Sequence, residues 1–285
     1  MFTDSHCHLH HLSEKTDDLP LMLKEMEAAQ YPFIMDIGTI AGDFSVRFDT
    51  VAKACGQSSI ILPFIHFSAG IWPGTEAIEQ PRQALTKLEA DIQTILQRGA
   101  HYTAVGECGI DRYWNGTGKT GGTENLAGEE KLFKQQLKLA QKYNLAVIVH
   151  SRDGFVPTLA CIDEIGWHKG VIHCFSYGIE EAQAFIQRGW YISFSGTITY
   201  YKKQHEKDNM AAIMRCVPPD KILLETDSPY LAPVPKRGKT NTPLYIPYVY
   251  EQACSYLDCS MEYLCQTVQE NCRTLFSAPS EEKQA

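Results

Sequence analysis

The chain has 285 residues, 44% hydrophobic and 21% charged, a balance that excludes a disordered chain and leaves enough apolar mass for an enzyme-sized core. A formal net charge of −8 excludes the extended basic coat with which proteins grip duplex DNA, although cations bound at one local site would add positive charge that the count omits. Ten cysteines with no CxxC pair argue for reduced thiols in the cytoplasm rather than a disulfide framework, and neither a signal peptide at Phe2-Thr3-Asp4-Ser5-His6 nor a membrane span is expected.

In chain order, the run beginning at Phe2 is a first strand that ends at His6 and His8. Residues 19–30 place Leu19, Met22, Leu23 and Met26 on one helical face. Strands are expected at Phe33-Ile34-Met35 and Ile60-Ile61-Leu62. A helix over 81–98 follows, with Leu85, Leu88, Ile92, Ile95 and Leu96 on its apolar face. The strand from Thr103 to Gly106 leads into Asn115–Gly128, a Gly-, Thr- and Asn-rich stretch that reads as an exposed loop or lid. Residues 129–143 form a helix through Phe133, Leu137 and Ala140. Strands are expected again at 146–149, Val171-Ile172, Tyr191-Ile192 and from Ile222 to Thr226. That makes about eight β-then-α units, with continuous apolar strands suited to burial on both faces. The economical fold is a single-domain α/β chain, a (β/α)8 TIM barrel over residues 1–277 with a flexible tail at 278–285. A doubly wound open sheet is the alternative.

The positions of the metal-binding residue types carry the functional argument. His6 and His8, Glu107, His150, His173 and Asp227 each fall at the expected C-terminal end of a strand, and in a barrel those ends share one mouth. Two-residue spacing turns both imidazoles of His6 and His8 to one side, and Cys7 to the other. By the same parity Cys108 and Cys174 should face outward as small core residues. Four imidazoles and two carboxylates suit divalent transition ions and exceed what one tetrahedral ion needs. Two divalent ions (Zn, Mn or Mg) account for the set: His6, His8 and Asp227 on one, His150 and His173 on the other, Glu107 bridging. Such a pair clamps a phosphoryl group and supplies hydroxide at neutral pH.

These motifs resemble the TatD-type metal-dependent hydrolases, a family described as deoxyribonucleases. The resemblance rests on Asp4-Ser5-His6-Cys7-His8-Leu9, Gly106-Glu107-Cys108-Gly109-Ile110-Asp111, Val149-His150-Ser151-Arg152-Asp153 and His173-Cys174-Phe175-Ser176. Leu223-Leu224-Glu225-Thr226-Asp227-Ser228-Pro229-Tyr230 follows, and the match spans roughly residues 1–277. It implies a TIM barrel, two divalent ions, the same six ligands and hydrolysis of DNA from an end, with Asp227 also taking the proton of the attacking water. Two departures stand out. Where the family commonly reads Gly-x-His-Pro, this chain reads Gly70-Ile71-Trp72-Pro73, and the family's acidic residue after His-x-His-Leu is His10 here. Trp72 either stacks on a base or, the more ordinary use, packs beneath a loop. His10 is a weaker candidate for lining the mouth.

Other candidates carry two readings each. Glu225 shares Asp227's face one layer deeper, either supporting a ligand or as a buried carboxylate paired with a base. Asp111 orients a ligand or caps a loop. Arg152 meets a phosphate or pairs with Asp153. Arg237, within Lys236-Arg237-Gly238-Lys239, steers a polyanion or is simply solvated. Tyr230 and Tyr245 are expected in the core more than at the rim. The leading function is therefore a metal-dependent deoxyribonuclease acting on single strands or ends, with DNA as the partner and no obligate protein partner. Alternatives are a related metallohydrolase acting on a small phosphate ester, lactone or amide, and a non-catalytic metal-stabilised scaffold. The lack of a strand-end lysine that could bridge metals as a carbamate disfavours the amidohydrolase-like version.

Overall fold

The computed structural model describes residues 1–56, 61–118 and 120–279. Eight strands run in chain order: β1 Thr3–Cys7, β2 Phe33–Asp36, β3 Ile65–Phe67, β4 Ala104–Asp111, β5 Ala146–Arg152, β6 Gly170–Ile172, β7 Tyr191–Phe194 and β8 Ile222–Leu224. Every strand pairing is parallel, within β1-β2-β3 and within β4-β5-β6-β7-β8. Two seams join these sheets into a ring. On one side Ala69 bridges Val105, and the Gly106 amide donates to the Ala69 carbonyl at 2.8 Å. On the other, the Asp227 amide donates to the His6 carbonyl at 2.9 Å and the His8 amide to the Ser228 carbonyl at 2.7 Å. The chain is thus a closed (β/α)8 barrel, and sequential strand order with closure excludes the doubly wound sheet.

Strand interiors are buried almost throughout, as continuous apolar runs require between a packed lumen and a helical coat. The helices Leu19–Ala28, Pro81–Gln97 and Leu126–Tyr143 match the expected helical faces to within a few residues. The last begins three residues before expectation because Asn125 caps it, its side chain accepting from the Gly128 amide at 2.9 Å. The described residues of the stretch before it are mostly exposed, as expected, with one anchor. Asn115 is buried, with its amide donating to the Pro73 carbonyl at 2.7 Å.

The third strand corrects the sequence reading. Ile60 lies outside the described residues, and Ile61 and Leu62 are only half-buried and precede the strand. Pro63 cannot donate to a ladder, and the chain turns there, the Ile65 amide donating to the Leu62 carbonyl at 2.9 Å. Pairing with β2 begins at Ile65, opposite Ile34.

β3 also carries His66, whose ring lies 4.6 Å from Phe33 and 4.9 Å from Tyr102. Burial, with His101 and Arg273 nearby, pushes its pKa from 6.5 down to about 4. The unfolded chain therefore binds an extra proton between those values, and stability falls as pH drops from 6.5 toward 4. The loss is about 3 kcal/mol. Urea unfolding across that window should show the wild type losing this much more than His66→Gln; parallel losses would rule the assignment out.

Candidate metal centre

Local backbone fixes each side chain at the mouth. His6 lies within β1, and His8 follows it on the same face. The exit from β1 is anchored from below: the Leu9 amide donates to Asp36 Oδ1 at 2.7 Å, and the buried Arg47 donates to Asp36 Oδ2 at 2.6 Å. Glu107 is not at a strand end, as expected, but midway along β4, where the register shifts between Val105 and Cys108. Gly106 makes that shift feasible. Its φ is +150° and an added Cβ would sit 2.6 Å from the Ile148 carbonyl oxygen. The Glu107 amide is held by the Gly38 carbonyl at 2.7 Å. Asp227 lies beyond β8 in a left-handed turn, φ +57°.

The six side chains meet. Glu107 Oε2 stands 3.4 Å from His6 Nε2 and 3.7 Å from His8 Nε2. Its other oxygen, Oε1, stands 3.1 Å from His150 Nδ1 and 3.2 Å from His173 Nε2. Asp227 Oδ1 lies 3.5 Å from His6 Nε2 and 3.4 Å from His8 Nε2. Donors bound about 2.1 Å from one tetrahedral ion stand about 3.4 Å apart, so this spacing fits a shared cation. Two groups could hold an ion: His6, His8 and Asp227, and His6, Glu107 and His173. His6 belongs to both, which the chain-order partition did not anticipate. Its ring stacks on His173 at 4.0 Å, a contact between opposite parts of the chain.

Neighbours aim the rings. Asp111 Oδ2 holds His150 Nε2 at 2.7 Å, leaving Nδ1 toward Glu107. The Ile37 carbonyl lies 3.3 Å from His8 Nδ1, leaving Nε2 inward. Glu225 Oε1 lies 3.4 Å from His173 Nδ1 and accepts from the Cys174 amide at 2.7 Å, while Oε2 accepts from Ser193 Oγ at 2.5 Å. Carboxylates behind imidazoles set ring orientation and basicity in metal sites. Burial works against ionisation of Glu107, but His173 and contacts with His150 and His6 hold its carboxyl well below the usual range. Burial likewise opposes charge on His173, yet Glu107 and Glu225 raise it well above an ordinary imidazole. Burial and the neighbouring His173 instead hold His6 below an ordinary imidazole, so the rings around Glu107 do not all share one charge tendency.

These groups open into a cavity of about 970 Å³, where Trp72, Arg152 and Tyr230 also lie. Arg152 does not pair with Asp153; its guanidinium covers the Tyr113 ring at 3.7 Å. Trp72 is half-buried and also lines the cavity, its ring 6.2 Å from His150. Tyr230 is 43% exposed at the rim rather than in the core. Arg237 lies over Tyr200 at 3.8 Å, outside the cavity lining. Cys174 lines the cavity instead of facing outward, because φ of +44° beyond β6 breaks strand parity. His10 turns to Thr50 and Glu14, and His11 takes the mouth, stacked 5.1 Å from His8. A helix starts at Leu9, so the residue sharing His8's side is three positions on, a period that sequence reading could have used. Trp114, 52% exposed on the loop after β4, was also missed.

The fold and this donor set together define a barrel of the metallohydrolase class. Comparison with known proteins narrows it. A family model described as "TatD related DNase" matches residues 3–277, and the chain belongs to that family. The metal-dependent hydrolase YcfH of Escherichia coli K12 is 31% identical over 277 residues, covering 96% of this chain and 94% of the relative. The crystal structure of YjjV, a TatD homologue from E. coli K12, superposes with a TM-score of 0.80 at 27% identity and covers 98% of both chains. A Cronobacter sakazakii protein named "3'-5' ssDNA/RNA exonuclease TatD" is 32% identical over 186 residues, covering 62% of this chain and 66% of its own. The protein is a metal-dependent hydrolase of the TatD family. Among the described residues, no helix is long and apolar enough to cross a membrane.

Proposed function

We propose that the chain is a two-metal deoxyribonuclease that trims single-stranded DNA from an end. The observation that carries this reading is the division of Glu107, with Oε2 toward His6 and His8 and Oε1 toward His150 and His173. A carboxylate so placed is suited to bridging two cations, one held with His6, His8 and Asp227, the other with His150 and His173. Bound there, divalent ions such as Zn, Mn or Mg lower the pKa of water and offset phosphoryl charge.

The chain's own groups do the rest. Asp227 accepts the proton of the attacking water, its carboxylate kept ionised, against burial, by contact with His8 and then His6. Asp111 and Glu225 hold His150 and His173 in register. Arg152 and Lys87, both lining the cavity, receive the backbone phosphates of the strand. The relative named as a single-strand exonuclease supports a nucleic-acid substrate. Ten unpaired cysteines support a reducing, cytoplasmic setting.

The test uses single-stranded and duplex oligonucleotides labelled at either end, incubated with purified protein and Mg²⁺, Mn²⁺ or Zn²⁺. Expected is stepwise shortening from one end that stops on chelation and resumes when metal is restored. An absence of metal-dependent cleavage, with turnover of a small phosphate ester, lactone or amide instead, would move the protein to another substrate class. Loss of the folded state on chelation, with no substrate turned over, would favour a scaffold.

A further inference from the structure

We infer that Trp72 and Trp114 form a slot for one unpaired nucleobase on the His150 side of the mouth, making the terminal base a determinant of substrate choice. The inference rests on the nuclease reading above and names which part of the strand the site grips.

Both indoles line the same cavity as the candidate metal centre. Trp72 stands beside His150 at 6.2 Å, so a group against it lies one residue's width from the reacting phosphate. Trp114 is held by its backbone while its indole is left uncovered. Its amide donates to Asp111 Oδ1 at 2.7 Å, yet the side chain is 52% exposed. The same Asp111 orients His150 through its other oxygen, so one carboxylate sets both the ring at the centre and the aromatic at the rim.

The loops bearing the two indoles are laced together. Asn115 donates to the Pro73 carbonyl at 2.7 Å, and Thr75 Oγ1 to the Gly121 carbonyl at 3.3 Å. Gly122 lies so close beneath the loop that a Cβ there would come within 2.3 Å of the Trp114 carbonyl oxygen. A half-buried indole at Trp72 and an exposed one at Trp114, both lining the cavity, lose little entropy on binding and offer what a base needs, a flat surface indifferent to its edge. A base still paired in a duplex cannot enter such a slot without first leaving the stack. The cavity, near the top of the about 300–1,000 Å³ range of ligand sites, has room for a nucleotide beyond the reacting phosphate.

The experiment compares a single-stranded oligonucleotide with a twin whose terminal unit is abasic, using wild type, Trp114→Ala, Trp72→Ala and the Phe variants of each. Stacking of this kind corresponds to about a 5–150-fold change in affinity per base. Trp114→Ala should raise KM for the base-bearing strand by an amount in that range, with kcat little changed. The wild type should show the same penalty on the abasic strand, and Trp114→Ala should add nothing further there. Phenylalanine should restore most of the loss at each position. The half-exposed Trp114 can be removed without opening the core, so a fold-wide effect is separable. In parallel, quenching of tryptophan fluorescence by each strand is measured in chelator, where no cleavage occurs. Equal KM increases on both strands, or equal quenching by both, would overturn the slot while leaving the nuclease reading intact. If the wild type cleaves no strand, the nuclease reading fails. The slot is then upheld only if base-bearing strands quench and abasic ones do not.

Discussion

Replacing Glu107 with Gln should lower kcat/KM by about three orders of magnitude or more while the barrel stays folded. The amide has the same shape as the carboxylate, so this buried position keeps its packing. What changes is charge and donor capacity. An amide nitrogen has no lone pair to give, so whichever histidine pair it faces loses its oxygen partner. The four imidazoles around Glu107 also lose the anion that would offset the proposed pair of cations. Removing a single preorganised electrostatic group from an active site costs about 10²–10³ in rate. A group proposed to serve two ions at once should cost at least the upper end of that. Metal content after dialysis should fall from two ions per chain to one or fewer. Two retained ions with activity within tenfold of wild type would remove Glu107 from its bridging position.

Strand parity and period explain which parts of this site were legible in the sequence. His6 is on β1 and His8 sits one residue past its end, and the two-residue spacing brings both Nε2 atoms together at 3.3 Å. His173 and Asp227 lie just past their strands, where barrel connectivity alone brings them to the mouth. Parity failed where the backbone leaves the strand. Cys174 and Asp227 have positive φ, and Glu107 follows a register shift. Only Glu107 carries a local signature, the glycine before it; nothing adjacent to Cys174 marks its positive φ, so its outward assignment went astray. The third strand was misplaced because Ile60-Ile61-Leu62 is as apolar as Ile65-His66-Phe67, and only the turn after Leu62 decides between them. His11 displaced His10 because a helical period begins one residue after His8. Trp114 was invisible for a different reason. Its amide donates locally to Asp111 Oδ1, but the next residue, Asn115, donates to the Pro73 carbonyl, a segment that only the fold brings near. Arg152 was read as a choice between a phosphate and Asp153; the Tyr113 ring it covers lies on another loop.

Asp227→Asn separates proton transfer from simple structural support. Asparagine tolerates the left-handed backbone at this position nearly as well as aspartate, so the turn carrying φ +57° should survive. The backbone contacts that anchor it, from its own amide to the His6 carbonyl and from the Tyr230 amide to its carbonyl, do not involve the side chain. The amide oxygen can still face His6 and His8, but the group no longer accepts a proton at neutral pH. Loss of a positioned general base costs about 10²–10⁴ in kcat. Glu225→Gln changes a carboxylate that touches only the back of the site, at His173, Cys174 and Ser193. Its expected cost is about 10–100-fold, expressed mainly as weaker metal affinity and recovered at high metal concentration. The two variants should therefore diverge as metal is raised, with Glu225→Gln approaching wild-type turnover and Asp227→Asn remaining slow with a nearly normal KM. If saturating metal restored Asp227→Asn to within tenfold of wild type, Asp227 would be a ligand only, and the proton would have to leave by another group at the mouth.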